Sequence, residues 1–156
     1  MSIDPNIRHA HIMDVEILLE LDEQYRLALV DQRGGIAWLA EHAPLQTFAV
    51  QDIVETCFVG DIDGAVIGFL RGVVISIAGR GMVYTVDRVF VVEQARQLGF
   101  GDALLAAAMK VAMATECVAI EANALPGDRE TKNLYERAGI TARNIIVSRP
   151  LGSKIY

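Results

Sequence analysis

The chain has 156 residues, of which 53% are hydrophobic and 22% charged. That size and composition suit one globular domain, residues 1–156, with an apolar core that needs no cross-links, and they exclude a disordered chain. The 14 basic and 20 acidic residues leave a net charge of −6, which argues against nucleic acid as partner because a phosphate backbone needs a basic face.

In chain order, a short strand is predicted over residues 7–10 and a helix from Asp14 to Leu29, with Asp14 as N-cap and Ile17, Leu18, Leu21, Tyr25 and Leu29 at helical spacing. Gly34 and Gly35 break the chain before a second helix, Ile36 to His42, which ends ahead of Pro44. Residues 56–61 and 65–77 read as a hairpin across Asp61-Ile62-Asp63-Gly64. Gly79-Arg80-Gly81 turns into a strand from Met82 to Val92. A helix follows from Gly101 to Thr115, then a strand from Cys117 to Ala122, a helix from Asp128 to Ala138 and a last strand over 144–148. This order predicts an α/β (α+β) fold with helices on both faces of a mixed sheet. The helix 101–115 carries only Lys110 between Ala103 and Thr115, so it needs cover on most sides. That helix and the exposed last strand leave room for a homodimer.

The opening decapeptide MSIDPNIRHA lacks an apolar signal core, and the longest apolar run, Ala65 to Ala78, is interrupted by Arg71 and too short to span a bilayer. A cytoplasmic protein with no membrane partner is expected. Cys57 and Cys117 read as free thiols, and with His9, His11 and His42 they form no metal-ligand spacing, so no metal is expected.

The strand 82–92 places Asp87 and Arg88 in an apolar run. In a regular strand they would face opposite sides and could not pair, with Thr85, Val89 and Val91 on one face and Val86, Phe90 and Val92 on the other. Buried unpaired charge is costly, so a β-bulge near 87–88 is expected, kinking the strand and opening a crevice. Asp87 then reads either as a partnered structural carboxylate or as a general base.

At the end of this strand, Arg96-x-x-Gly99-x-Gly101 leads straight into the Ala/Leu helix. Glycines let the backbone turn tightly and approach a ligand, and the helix N-terminus presents free N–H groups and partial positive charge, which together make an anion cradle. The loop is no P-loop, because Asp102 and Ala103 stand where Lys-Ser/Thr is required. With two glycines rather than three, it is no dinucleotide fingerprint either. This arrangement resembles motif A of the GNAT superfamily, the acetyl-CoA-dependent N-acetyltransferases. Leu134-Tyr135-Glu136-Arg137-Ala138-Gly139-Ile140 resembles that family's L-Y-x-x-x-G-F signature, with the strand 117–122 between the two as the family requires.

The resemblance implies a mostly antiparallel central sheet splayed at a bulged strand. It implies that Arg96, Gln97, Leu98, Gly99, Phe100 and Gly101 hold the pyrophosphate of coenzyme A, and that Phe90 and Val91 offer backbone groups to pantetheine. It further implies Tyr135 as general acid for the departing thiolate and Asp87 as a base, in a direct transfer from acetyl-CoA to an amine on a small molecule or peptide. A non-catalytic acyl-CoA-binding or sensing module is the alternative. Four positions depart from the family pattern: Glu93 replaces a proline, Asp128 an asparagine and Ile140 a phenylalanine, while Phe100 is bulkier than usual. Asp128 is expected to serve as an N-cap only. Trp38 reads as a pocket wall or a partly buried anchor.

Overall fold

The computed structural model describes residues 4–152. Strands β1 (Asn6–His9), β2 (Cys57–Ile62), β3 (Ala65–Ile77), β4 (Gly81–Val91) and β5 (Ala119–Ala122) form one sheet in that order. The first four run antiparallel, and β5 joins β4 in parallel. A parallel neighbour requires a crossover, which helix α4 (Phe100–Ala114) supplies. Helices α1 (Val15–Leu29), α2 (Gly35–Glu41) and α3 (Val50–Thr56) precede β2, and α5 (Arg129–Arg137) follows β5.

Side-chain alternation along the strands divides the core between two faces. Cys57, Val59 and Phe69 join Leu18, Leu21 and Ile53 on the α1/α3 face. Phe58, Leu70, Tyr84 and Val86 join Leu104, Leu105, Ala108 and Leu134 on the α4/α5 face. Each fully buried large side chain contributes about 1.5–3 kcal/mol of transfer free energy. The mixed sheet with helices on both faces is the predicted architecture.

The bulge falls at Asp87. Arg71 of β3 pairs with Arg88, and Gly72 pairs with Val86, so Asp87 is the extra residue. Its consequence is a change of phase. Val86 and Val89 face α4, whereas Phe90 faces α1, the reverse of the regular alternation for residues 89 and 90. Without the bulge, Arg88 would enter the apolar layer beside Leu104. With it, Arg88 turns to α1, where Nη1 donates to Asp22 Oδ1 at 2.8 Å, Nε to Asp87 Oδ2 at 2.8 Å and Nη2 to the Ala43 carbonyl at 3.0 Å. Burial works against this charge, but Asp87 and Asp22 outweigh it and raise the Arg88 pKa. Asp22 is itself enclosed, its second oxygen accepting the Leu45 N–H at 2.9 Å. Arg71 closes the cluster with Nη1 on Asp87 and Nη2 on Asp52 of α3, its guanidinium 4.5 Å above the Phe48 ring.

Three expectations are corrected. Helix α3 lies where none was predicted; its seven residues show only Val50, Ile53 and Val54 as apolar periodicity, too short a pattern to stand out. The strand expected over 144–148 is absent, and that segment has no regular secondary structure. Asp14 sits at the start of α1 without capping it: its carboxylate turns back to the His11 N–H and to Arg8. Within the chain the outward side of α4 is left open; it is built largely of alanine, and Met113 stands exposed at its end.

Removing Asp22 leaves Arg88 buried with one anionic partner fewer. Asp22→Ala is expected to lose roughly 3–5 kcal/mol in urea unfolding, while Asp52→Ala, at the half-exposed end of the cluster, is expected to lose about 1 kcal/mol or less. A pH effect follows at β1. The Arg8 hydrogen bond, together with the His11 N–H, holds the Asp14 carboxyl below its ordinary 3.8. A depressed pKa stabilises above the unfolded value and is lost as pH falls through the folded one. Arg8→Ala is therefore expected to flatten the fall in urea midpoint below about pH 4.

Candidate active site

The pairing of β4 with β5 runs from Val83↔Ala119 to Val86↔Ala122 and stops at the bulge. Beyond it, β4 has no strand neighbour on that side among the described residues, and the chain leaves β5 for the start of α5. A cleft of about 450 Å³ lies against this free edge, lined by Val89 and Val91, by the loop from Ala95 to Asp102 and by α5 from Glu130 to Arg137.

Antiparallel pairing decides which backbone groups face the cleft. The Phe90 carbonyl points to β3, since a Cβ on Gly68 would lie 2.9 Å from it, and the Val92 N–H donates to the Ile67 carbonyl. Val89 and Val91 therefore present their groups to the open side. Of the residues expected to offer backbone groups, Val91 is at the edge, with its carbonyl accepting Arg96 Nε at 3.0 Å. Phe90 instead sends its ring to the α1 face, 5.9 Å from Tyr25. Val89 stands at the edge beside it, a direction that depends on the phase change at Asp87.

The loop ahead of α4 is shaped for close approach. Gln97 and Gly99 both adopt left-handed backbone, φ 69° and 87°. The N–H groups of residues 97–102 donate to no acceptor among the described residues; the first loop-to-helix bond is from Ala103 to the Gly99 carbonyl. Unsatisfied amides on a helix N-terminus form an anion site. Phe100 is buried beneath the loop, against β2. A Cβ on Gly60 would meet its ring at 2.8 Å, so the small residue in β2 is what admits the bulky one in the loop.

The carboxylates around the cleft are neutralised. Asp102 binds Arg137 at 3.0 Å and Glu130 lies 3.5 Å from Arg96. Asp128 caps α5 as expected, accepting the Thr131 N–H at 3.1 Å and its hydroxyl at 2.7 Å.

Tyr135 follows the cleft-lining Leu134 and is buried in the α4-face core. Burial pushes its phenol well above the ordinary tyrosine value, with Tyr25 and Asp128 adding to the shift. Tyr25, on α1, is raised in the same way by burial and then by Asp128. Its ring meets Trp38 edge-on at 5.5 Å, and Trp38 stacks on His42 at 4.1 Å. Trp38 is thus a buried anchor behind the α1 face. Asp87 Oδ2 is held by two guanidinium groups, Arg71 Nη1 at 3.0 Å and Arg88 Nε at 2.8 Å, an arrangement that suits a structural carboxylate. Arg71 and Asp52 complete that cluster and were not singled out as site residues, since only the fold brings α3 to β3. Among the described residues, no group of histidine, cysteine and acidic side chains is placed to hold a metal, and no helix is long and apolar enough to cross a membrane.

The profile of the acetyltransferase (GNAT) family matches residues 17–140. The chain belongs to this family. It is accordingly an acyltransferase by class. Solved GNAT-like structures share the fold at low identity. The aminoglycoside N-acetyltransferase AAC(6')-Iy, in complex with the bisubstrate analogue CoA-S-monomethyl-acetylneamine, is 19% identical over 96% of this chain and 100% of its own, with a TM-score of 0.69. A ribosomal-protein-alanine N-acetyltransferase from Brucella melitensis is 22% identical over 96% of this chain and 99% of its own, TM-score 0.69. A protein described as a transcriptional regulator from Bacillus halodurans is 18% identical over 95% and 100%, TM-score 0.68. No curated protein sequence gives a significant match.

The two loop glycines of this acetyltransferase have different duties. Gly99 is left-handed, so Gly99→Ala is expected to cost about 1–2 kcal/mol. A Cβ on Gly101 would only touch Leu134 at 3.4 Å, and Gly101→Ala in the first helical turn is expected to be neutral or to gain up to about 0.5–1 kcal/mol. Paired urea unfolding curves would show the opposite signs.

Proposed function

We propose that this GNAT protein transfers an acetyl group from acetyl-CoA to a primary amine within a direct ternary complex. The observation that carries the reading is the row of unpartnered amides at residues 97–102, opening into a cleft that reaches the free edge of β4. The site fits the cofactor's charge, because its carboxylates are already paired and Arg96 and Arg137 line the wall.

On this reading the backbone of Arg96, Gln97, Leu98, Gly99, Phe100 and Gly101 receives the pyrophosphate, and Val89 and Val91 pair with the pantetheine amides. Phe90 contributes its ring on the acceptor side instead of its backbone. Acetyl-CoA supplies an acyl group activated as a thioester. Tyr135, a phenol at neutral pH that burial keeps protonated, donates its proton to the departing sulfur, and its phenolate recovers the proton that the amine loses as the amide forms. An edge N–H near Val89 to Val91 donates to the carbonyl oxygen as negative charge develops there. Asp87 keeps Arg71 and Arg88 in place and so holds the bulge open. The acceptor is an amine on a small molecule or peptide, consistent with the aminoglycoside and ribosomal-protein amines named for structures of this fold. A cytoplasmic location is part of this reading.

Calorimetric titration with acetyl-CoA is expected to show binding that Gly99→Val with Gly101→Val abolishes. In an amine screen, Tyr135→Phe is expected to lower kcat roughly a hundredfold while leaving cofactor affinity unchanged. Binding without transfer to any amine would favour the sensing alternative. Asp87→Asn separates its two roles. A positioning carboxylate leaves the acidic limb of the pH–rate profile intact and lowers stability, whereas a base would take that limb with it.

A further inference from the structure

We infer that Asp128 is the base that takes the first proton from the acceptor, a role added to its capping of α5. The inference rests on the transfer reading above, and a proton count motivates it. A primary amine is an ammonium at neutral pH, since such groups titrate at about 10.4. Only the neutral amine can attack a thioester. The exchange at Tyr135 handles one proton, given to the sulfur and restored as the amide forms. The proton that must leave the ammonium beforehand needs a second acceptor.

Most carboxylates near the gap between β4 and β5 are already committed to cations. Asp87 is held by Arg71 and Arg88, and Asp22 is enclosed with Arg88. Glu121 of β5 binds Arg80 and Arg143. Asp102 binds Arg137, and Glu130 faces Arg96. Asp128 differs: it is half-buried, and among the described residues its oxygens accept only from Thr131, one bond each. Each oxygen therefore keeps a lone pair that can receive a proton.

Helix geometry turns Asp128 and Tyr135 toward each other. They stand at the N-cap of α5 and seven residues later, so they share one face at about 10 Å along the axis. Helical side chains lean toward the N-terminus, which tilts the long Tyr135 side chain toward Asp128. Tyr25 arrives from the other side of the sheet. It packs with the α1-face core and Tyr135 with the α4-face core, and the open edge of β4 beyond Val86 lets the two approach. The turn after α1 also touches the loop leading to Asp128. A Cβ on Gly34 would lie 3.5 Å from Leu125 Cδ2, and one on Gly127 would lie 3.1 Å from Gln32 Oε1. After burial, Tyr25 and then Asp128 hold the Tyr135 phenol up, as expected of three groups in one neighbourhood. Arg71 Nε is the one sealed side-chain atom without a partner among the described residues. The two phenol oxygens also bond to none of those residues and so open to solvent. The step balances. A lone pair of Asp128 forms an O–H bond as one ammonium N–H breaks, leaving a carboxylic acid and a neutral amine. Asp128 then gives this proton to water, so each transfer releases one proton overall.

The groups that carry charge or titrate around Asp128 are Tyr135 and the exposed Arg129, Glu130 and Lys132 of α5, Tyr25 of α1, and behind Tyr25 the cluster of Arg88, Asp87 and Asp22. The test uses the full chain. Asp128→Asn and Asp128→Ser both keep a capping residue and remove the carboxylate. Transfer from acetyl-CoA is followed with neamine, benzylamine and an alanine-initiated peptide, taken from a broad amine screen, between about pH 6 and about pH 9. Both variants are expected to lose kcat about a hundredfold at neutral pH. They should recover about tenfold per pH unit on the alkaline side, as solvent supplies the neutral amine. Acetyl-CoA affinity, circular dichroism and urea midpoint should stay unchanged. Variants as fast as the parent chain, or slowed equally at every pH, overturn the inference and leave the transfer reading standing. A parent chain that binds acetyl-CoA and transfers to no amine of the screen overturns both.

Discussion

The burial of Arg88 is the constraint on which the rest of the structure depends. A guanidinium between a sheet and a helix cannot stay charged without anionic partners, and regular alternation would have sent it to the face that has none. Inserting Asp87 as an extra residue turns Arg88 to the face where Asp22 waits, and the inserted residue is itself a carboxylate that binds the same arginine. The bulge and the charge cluster are therefore one device. Arg71 and Asp52 extend it to α3, so that the two helices on this face are both tied to the centre of the sheet by ionic contacts as well as by apolar packing.

The cleft is the outcome of that device. β5 pairs with β4 up to Val86 and no further, which leaves the second half of β4 with an open edge directed at the N-terminus of α4. The phase change decides that Val89 and Val91 look into the opening while Phe90 joins the aromatic group of Tyr25 and Trp38 on the other face. The shape of the cleft and fold stability are coupled here, because the residues that keep the crevice open are the ones that neutralise a buried charge. The loop ahead of α4 is supported independently. Phe100 anchors it in the core through the space left by Gly60, while left-handed backbone at Gln97 and Gly99 aims its amides outward.

What the sequence determined by itself was whatever depends on local rules. The glycine-spaced loop at a strand–helix junction, the helical spacing in 14–29, the hairpin at Asp61 to Gly64 and the need to relieve Asp87 and Arg88 all follow from backbone freedom, periodicity and the cost of buried charge. Tertiary structure alone decided the partners and directions. Asp22 lies 66 residues from Arg88 and Asp52 lies 19 from Arg71, separations at which no periodic signal links two side chains. Which of residues 89, 90 and 91 faces the cleft depends on one inserted residue, and a strand pattern of period two loses its phase there. The segment 144–148 shows the same limit from the other side: its strand propensity is plain in the sequence, but a strand exists only where an edge is within reach to pair with it.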